Sequence, residues 1–325
     1  MKTVLVTGAT GFIGIEVSRQ LADRGLNPRL MVRRPLRGII LKHLTADIMQ
    51  ADLRSPRSLQ RILSGIDTVI HLGARAAFEP YKHLYPSIVR GSLNLMRAAI
   101  RAGVKRFVYG GSLLVYDDSP KPIDQNTRPS PTSGYGRAKL EAETEMQKLA
   151  ASAGIRFVSL RLPHVYGAHS LLFDQVRYGR ITFPGRGLNR FAHLHVSDAA
   201  RGLIRAAETD VEGCFVVADE LSCTWNDFFE TVQTYYPRLR VVHMPQLASF
   251  IATRMLDALF ELAGRPNPYP SGAISCWNMR LSVEPGTLQN VLGMEPEYPS
   301  VHDGIPAVLD DAISFYWLPS NLDRD

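Results

Sequence analysis

Cysteine is scarce in this chain: Cys214, Cys223 and Cys276 are the only three in 325 residues, widely spaced and odd in number. That excludes a disulfide framework or a thiolate metal cluster, and a reduced, cytoplasmic setting is expected. Long apolar runs are missing as well. None approaches the ~20 residues that a membrane-spanning helix needs. Met1 leads directly into Val4-Leu5-Val6 without a signal-peptide layout, so no secretory leader is expected. Lys and Arg outnumber Asp and Glu by 37 to 31, giving a net charge of +6. The charges are dispersed, however, and no basic run interleaved with aromatics marks a nucleic-acid groove. The excess reads first as a solvated basic surface and second as attraction for a polyphosphate ligand. Repeats and low-complexity segments are also absent.

What is present is an alternation. Short apolar runs at 2–7, 28–33, 46–51, 67–72, 105–110, 155–161 and 213–217 read as strands. Between them, helical periodicity covers 12–25, 56–64, 82–102, 134–153 and 197–208. Runs such as Thr68-Val69-Ile70 suit strands covered on both faces, so the spacing predicts a doubly wound parallel α/β sheet of the Rossmann type. After residue 163 the pattern loosens. Residues 1–163 plus 196–218 are expected to form the sheet domain, and 164–195 plus 219–325 a smaller C-terminal substrate-binding lobe. Helical patterns in that lobe lie near 224–236, 246–263 and 301–316. In the second of these, Arg254, Asp257 and Glu261 share one stripe of an otherwise largely apolar helix. Packing within the lobe is the expectation, ahead of lining an apolar pocket or lying on a membrane surface.

Thr7-Gly8-Ala9-Thr10-Gly11-Phe12-Ile13-Gly14 joins the first strand to the first helix. Glycines there allow a tight turn and close backbone approach to a pyrophosphate, while the helix start offers free N–H groups. Gly8, Thr10, Gly11, Phe12, Ile13 and Gly14 are therefore candidate cofactor contacts. The second strand ends in Arg33-Arg34, where a carboxylate would accept hydrogen bonds from a ribose hydroxyl. Two guanidinium groups suit a 2′-phosphate instead, so NADP(H) is preferred and NAD(H) is the alternative. A purely solvated role for the arginines stays open. Asp52, followed by Leu53, is placed either to bond an adenine amino group or to cap a helix. Leu72-Gly73-Ala74 closes the fourth strand with small residues that admit a cofactor.

Tyr135 and Lys139 stand four apart on one helical face. A phenol titrates near 10, and a neighbouring ammonium together with an oxidised nicotinamide would favour the phenolate. With the glycine turn upstream and Gly110-Gly111-Ser112 ending the fifth strand, the chain resembles the extended short-chain dehydrogenase/reductase family. The matching pieces are Thr7–Gly14, Asp52-Leu53, His71–Ala74, Ser112–Tyr116, Tyr135–Lys139, Leu160–Gly167 and His195–Asp198. The resemblance implies Tyr135 as general acid/base, Lys139 tuning it and holding the nicotinamide ribose, and Ser112 bonding the substrate oxygen. It also implies that Leu162 and Pro163 border the nicotinamide, and that a homodimer forms through the helices near 82–102 and 134–153. Two departures stand out: Gly110-Gly111 where the family often has serine or threonine, and Ser87 where asparagine is common.

Within that family, Ser112-Leu113-Leu114 lacks the acid of the dehydratases. Counting from Gly187, the positions of the nucleotide-sugar phosphate clamp hold Phe191 and Ala192, with Arg190 one residue early. The loop Gly185–Asn189 and the apolar helix 247–263 look like the 3β-hydroxysteroid dehydrogenase and dihydroflavonol-reductase branches. The expected reaction is hydride transfer between NADP(H) and a hydrophobic ketone or secondary alcohol. Nucleotide-sugar epimerisation and non-catalytic NADP(H) sensing are the alternatives. His164, Tyr166 and Phe191 are candidate substrate contacts. His193 and His195 lack a third ligand, so no metal is expected.

Overall fold

The computed structural model describes residues 3–265, 267 and 270–314. Along the first half run β1 (Val4–Thr7), α1 (Phe12–Asp23), β2 (Arg29–Val32), β3 (Asp47–Gln50), α2 (Pro56–Ile62) and β4 (Thr68–His71). There follow α3 (Tyr81–Ala102), β5 (Arg106–Gly110), α4 (Gly134–Ala153) and β6 (Arg156–Arg161). The second half contains β7 (His164–Tyr166), α5 (Leu171–Arg177), β8 (Arg180–Pro184), β9 (Arg190–Phe191), β10 (His193–His195), α6 (Val196–Glu208) and β11 (Gly213–Val216). It ends with β12 (Cys223–Thr224), α7 (Trp225–Tyr235), β13 (Arg240–Met244), α8 (Gln246–Leu262), α9 (Ser271–Trp277), α10 (Thr287–Leu292) and α11 (Val301–Ser314).

Seven strands form one sheet in the order β11-β6-β5-β4-β1-β2-β3. Every pairing in it is parallel. Every side chain of β1 and β4 is buried, because helices cover both faces of the sheet. The core on one face gathers Val17 and Leu21 of α1 with Leu203 and Ile204 of α6. On the other, Ile88, Leu95 and Met96 of α3 meet Ala142 and Met146 of α4. The winding reverses between β1 and β4, which opens a crevice beyond their C-terminal ends, where ligands of such sheets bind.

All seven sheet strands lie where the apolar runs predict them. Three two-stranded ladders, β7–β10, β9–β12 and β8–β13, do not follow from the sequence pattern. Their partners are too distant in the chain for local periodicity to reveal, and two of the three ladders are only two or three residues long. They frame a third core built on Phe173, Phe183, Trp225, Phe228 and Phe229. The predicted helix near 301–316 is α11, and its last two positions lie outside the described residues. Helix α8 meets its expectation only in part: it packs against α9 along one stripe, and only Ser249 of its 17 residues is buried.

Candidate active site

The glycine turn is built for close approach. Gly8 has φ +71°, and a Cβ there would lie 2.7 Å from the Leu72 carbonyl carbon. A Cβ on Gly14 would stand 2.1 Å from the Gly8 carbonyl oxygen, so α1 can start directly on the turn only with glycine at both places. No side chain caps α1 at Gly11, which leaves its first N–H groups to an incoming anion. Thr10, Phe12 and Ile13 are half-buried around it.

Arg33 and Arg34 are both exposed just past β2. Asp52 neither caps α2 nor stands free: it accepts from the Arg54 guanidinium at 2.8 Å and from the Arg54 backbone N–H at 2.8 Å. Those bonds, with a smaller contribution from Arg33, hold the Asp52 carboxyl below its ordinary range. Arg54 thus joins the basic rim, a residue that the sequence pattern did not mark. Leu53, Leu72 and Gly73 are half-buried nearby and Ala74 is exposed. Behind them His71 bridges Thr7 Oγ1 at 2.6 Å and Ser92 Oγ at 2.9 Å. Burial, reinforced by Lys139, pushes its pKa down to about 3, so it is a neutral clip joining β4 to β1 and α3.

Ser112 follows β5, and its Oγ accepts from the Leu114 N–H at 3.2 Å. The two glycines before it have a packing reason: a Cβ on Gly110 would lie 2.5 Å from Leu72 Cδ2, and one on Gly111 2.7 Å from Ser159 Oγ. Helix α4 is capped by Ser133, whose hydroxyl accepts from Gly136 N–H at 2.9 Å. Gly136 itself has room for no side chain, since a Cβ would sit 1.9 Å from the Leu114 carbonyl oxygen. This backbone contact seats Tyr135 near Ser112, whose hydroxyl draws the phenol's pKa down. Phe78 lies 6.2 Å away, ring to ring, and Cys276 of α9, bonded to Ser133, adjoins on the other side.

Lys139 is buried; its ammonium donates to the Gly110 carbonyl and lies 4.1 Å from the centre of the Tyr109 ring. One turn on, Glu143 is buried among Ser159 Oγ at 2.6 Å and the Arg161 guanidinium at 2.6 Å. Arg161 also donates to the Tyr116 hydroxyl at 2.7 Å. This network behind the helix is a second feature that the sequence pattern missed. Burial pushes the Tyr135 phenol up to about 12, with Ser112 opposing. Burial lowers Lys139 to about 7, with Glu143 opposing. The lowered phenol pKa expected from the ammonium is therefore not a property of the chain by itself: Lys139 is engaged with Gly110 and Tyr109 rather than with the phenol.

Leu162 is buried, its carbonyl accepting from Leu113 N–H at 2.7 Å, and Pro163 is half-buried beside it. Beyond them stands an aromatic wall. Trp225 and Trp277 stack at 4.9 Å, and Phe183 meets Trp277 at 5.6 Å. His164 joins it 5.0 Å from Trp225, with Nδ1 3.0 Å from His193 Nδ1; burial holds it near 4 and hence neutral. Phe191 is buried 5.4 Å from Trp225. Tyr166 does not reach this wall's open side. It is fully enclosed, with its hydroxyl donating to the Ser300 carbonyl at 3.3 Å, because Gly304 leaves the space it fills. His195 and Asp198 are structural: the first caps α6 through Ser197 N–H, and the second accepts from the Glu297 and Tyr298 N–H groups at 2.8 and 2.9 Å.

Residues 4–218 match the NAD dependent epimerase/dehydratase family. The protein y4nG of Sinorhizobium fredii is 30% identical over 216 residues, 64% of this chain, and the chain spans about half (54%) of that relative's length. A ceramide reductase of Caulobacter vibrioides is 25% identical over 329 residues, covering 98% of this chain and 97% of its own. Among solved structures, MoeE5 in complex with UDP-glucose and NAD superposes with a TM-score of 0.77 at 24% identity, over 97% of this chain and 99% of that one. That likeness bears on the fold.

Proposed function

The chain belongs to the NAD dependent epimerase/dehydratase family, and from that premise we propose that it is an NADP(H)-dependent oxidoreductase interconverting a hydrophobic ketone and its secondary alcohol. The observation that carries the substrate class is Phe191. A nucleotide sugar needs a cation on its diphosphate, and at this place the chain buries an aromatic ring against Trp225. Of the aromatic cluster behind it, Phe183 and Trp225 are buried in the core, and Trp277 is the half-buried member that offers apolar contact. The full-length similarity to a protein named a ceramide reductase supports the same class.

The residues present fit a dinucleotide: the turn at Gly8 and Gly14 is a cradle that a Cβ would fill. The α1 N-terminus would receive the pyrophosphate, and Arg33, Arg34 and Arg54 the 2′-phosphate. When bound, the dinucleotide supplies or takes the hydride. Ser112 orients the substrate oxygen, and Tyr135 donates its phenolic proton as negative charge develops there. A phenol held at about 12 is fully protonated at neutral pH, which suits the reductive direction. Lys139 would exchange its bond to Gly110 for the ribose hydroxyls. The same reading carries a homodimer joined through α3 and α4, in a cytoplasmic setting.

The test is NADPH absorbance with purified protein, offering hydrophobic ketones beside UDP- and dTDP-sugars, with Tyr135→Phe as control. Stoichiometric loss with a ketone, absent in the control, is expected. Interconversion of a nucleotide sugar without net loss of NADPH would replace this reading with an epimerase.

A further inference from the structure

Helix α8 wears its amphipathic pattern inside out. The side turned to the protein carries Ser249, Thr253, Asp257 and Phe260, with the less exposed Phe250 and Leu256 at its edges. Ser249 is buried, and Asp257 accepts from Asn267 Nδ2 at 2.8 Å and from Ser271 N–H at 3.2 Å. The side turned away carries Leu247, Ile251, Met255, Leu259 and Leu262, exposed by 71%, 51%, 65%, 61% and 87%. Ala248, Ala252 and Ala258 fill the gaps between them, and Met244, just before the helix, extends the patch. A helix that meets only water keeps its polar stripe outside. This one keeps it inside, over two full exposed ridges.

The charges around the patch are sorted in the same way. Of the two acids of the helix, Asp257 turns inward to bond α9, and Glu261 stands in an exposed ion pair with Lys82 of α3. Arg254, a helical neighbour of Ile251 and Ala258, is exposed on the flank of the apolar face, and Arg265 is exposed just past its end. In a two-fold contact between copies the face would meet itself and bring these arginines together, with Glu261 already paired to Lys82. An anionic headgroup layer neutralises them. Among the described residues no helix is long and apolar enough to cross a membrane, so the contact lies in the plane of the surface. We infer that the outer face of α8 docks on an anionic lipid bilayer.

The inference is independent of the proposed reaction, because it is read without turnover. The full chain is sedimented with vesicles of phosphatidylcholine alone and of phosphatidylcholine mixed with phosphatidylglycerol. Pelleting with the anionic vesicles, weakened by salt, is expected. The triple variant Ile251→Glu, Met255→Glu, Leu259→Glu should bind at least about tenfold more weakly at unchanged native mass. Arg254→Glu, which leaves the apolar face intact, should weaken binding about fivefold. Wild type remaining in solution with both vesicles, or a triple variant that pellets like wild type, would overturn the inference. So would a native mass that halves in the triple variant, since the face would then be covered by a second copy.

Discussion

The Lys139 ammonium is bonded to the carbonyl oxygen of Gly110, two residues before Ser112 on the same strand end. The strand end that carries Ser112 therefore also braces the Lys139 ammonium. The cation is nonetheless held against its preference for water. Its pKa falls from 10.5 to about 7, so between those values the unfolded chain binds a proton that the folded chain does not. Stability should rise with pH across that window, and the full cost of burial should be present below it.

Lys139→Met removes this burden. The variant is expected to melt above the wild type near about pH 6, with the difference shrinking toward about pH 10. Calorimetric scans across that range check it, and a constant difference would show that Lys139 titrates normally in the fold.

The phenol gives a second pH signature. Ser112 pulls the Tyr135 pKa down against burial, so Ser112→Ala should raise it. Reduction needs the protonated phenol, and its alkaline limb should move to higher pH in that variant, while oxidation at a fixed neutral pH slows. Tyr135→Phe should lower kcat by about 10²- to 10⁴-fold at little change in NADPH affinity. Rate profiles with a reducible ketone measure both.

On the proposed reading, cofactor choice rests on the rim past β2. The double variant Arg33→Ala, Arg34→Ala should raise the Kd for NADPH by about 10- to 100-fold, the loss of charged hydrogen bonds of about 1.5–3 kcal/mol, and leave NADH binding unchanged. Titration of intrinsic fluorescence with each nucleotide separates the two. Equal losses for both would assign the arginines to the pyrophosphate instead.

Gly136 is the joint between proton donor and hydroxyl. Gly136→Ala places a methyl 1.9 Å from the Leu114 carbonyl oxygen, and both partners are backbone. A loss of about 1–3 kcal/mol in stability is expected, with turnover falling further than stability alone explains. Chemical denaturation beside kcat reports on each.

The glycine turn, Tyr135 and Lys139 are legible in sequence because each acts over a few consecutive residues or one helical turn. The seven strands are legible because burial on both faces forces apolar runs. Glu143 and Arg161 are not: 18 positions separate them, and nothing local predicts that a carboxylate on α4 meets a guanidinium on β6. Trp277 reaches the wall only because α9 returns from the far end of the chain. Helix α8 misleads for a different reason. Arg254, Asp257 and Glu261 share one stripe in the sequence, yet in the fold Arg254 and Glu261 stay exposed while Asp257 turns to the backbone of Ser271.

Asn189 donates to the carbonyls of Trp277 at 3.0 Å and Met279 at 2.7 Å, clipping the loop after β8 to the segment that carries one half of the aromatic wall. Ser112 follows β5 and Tyr135 rides on α4, whereas the aromatic cluster hangs from this clip and from α7. On the proposed reading, these two short returns of the chain can be rewritten, and substrate recognition with them, without disturbing the strand end and helix that carry Ser112 and Tyr135. A graft of 185–191 together with 271–279 from a relative is the natural unit for redirecting it.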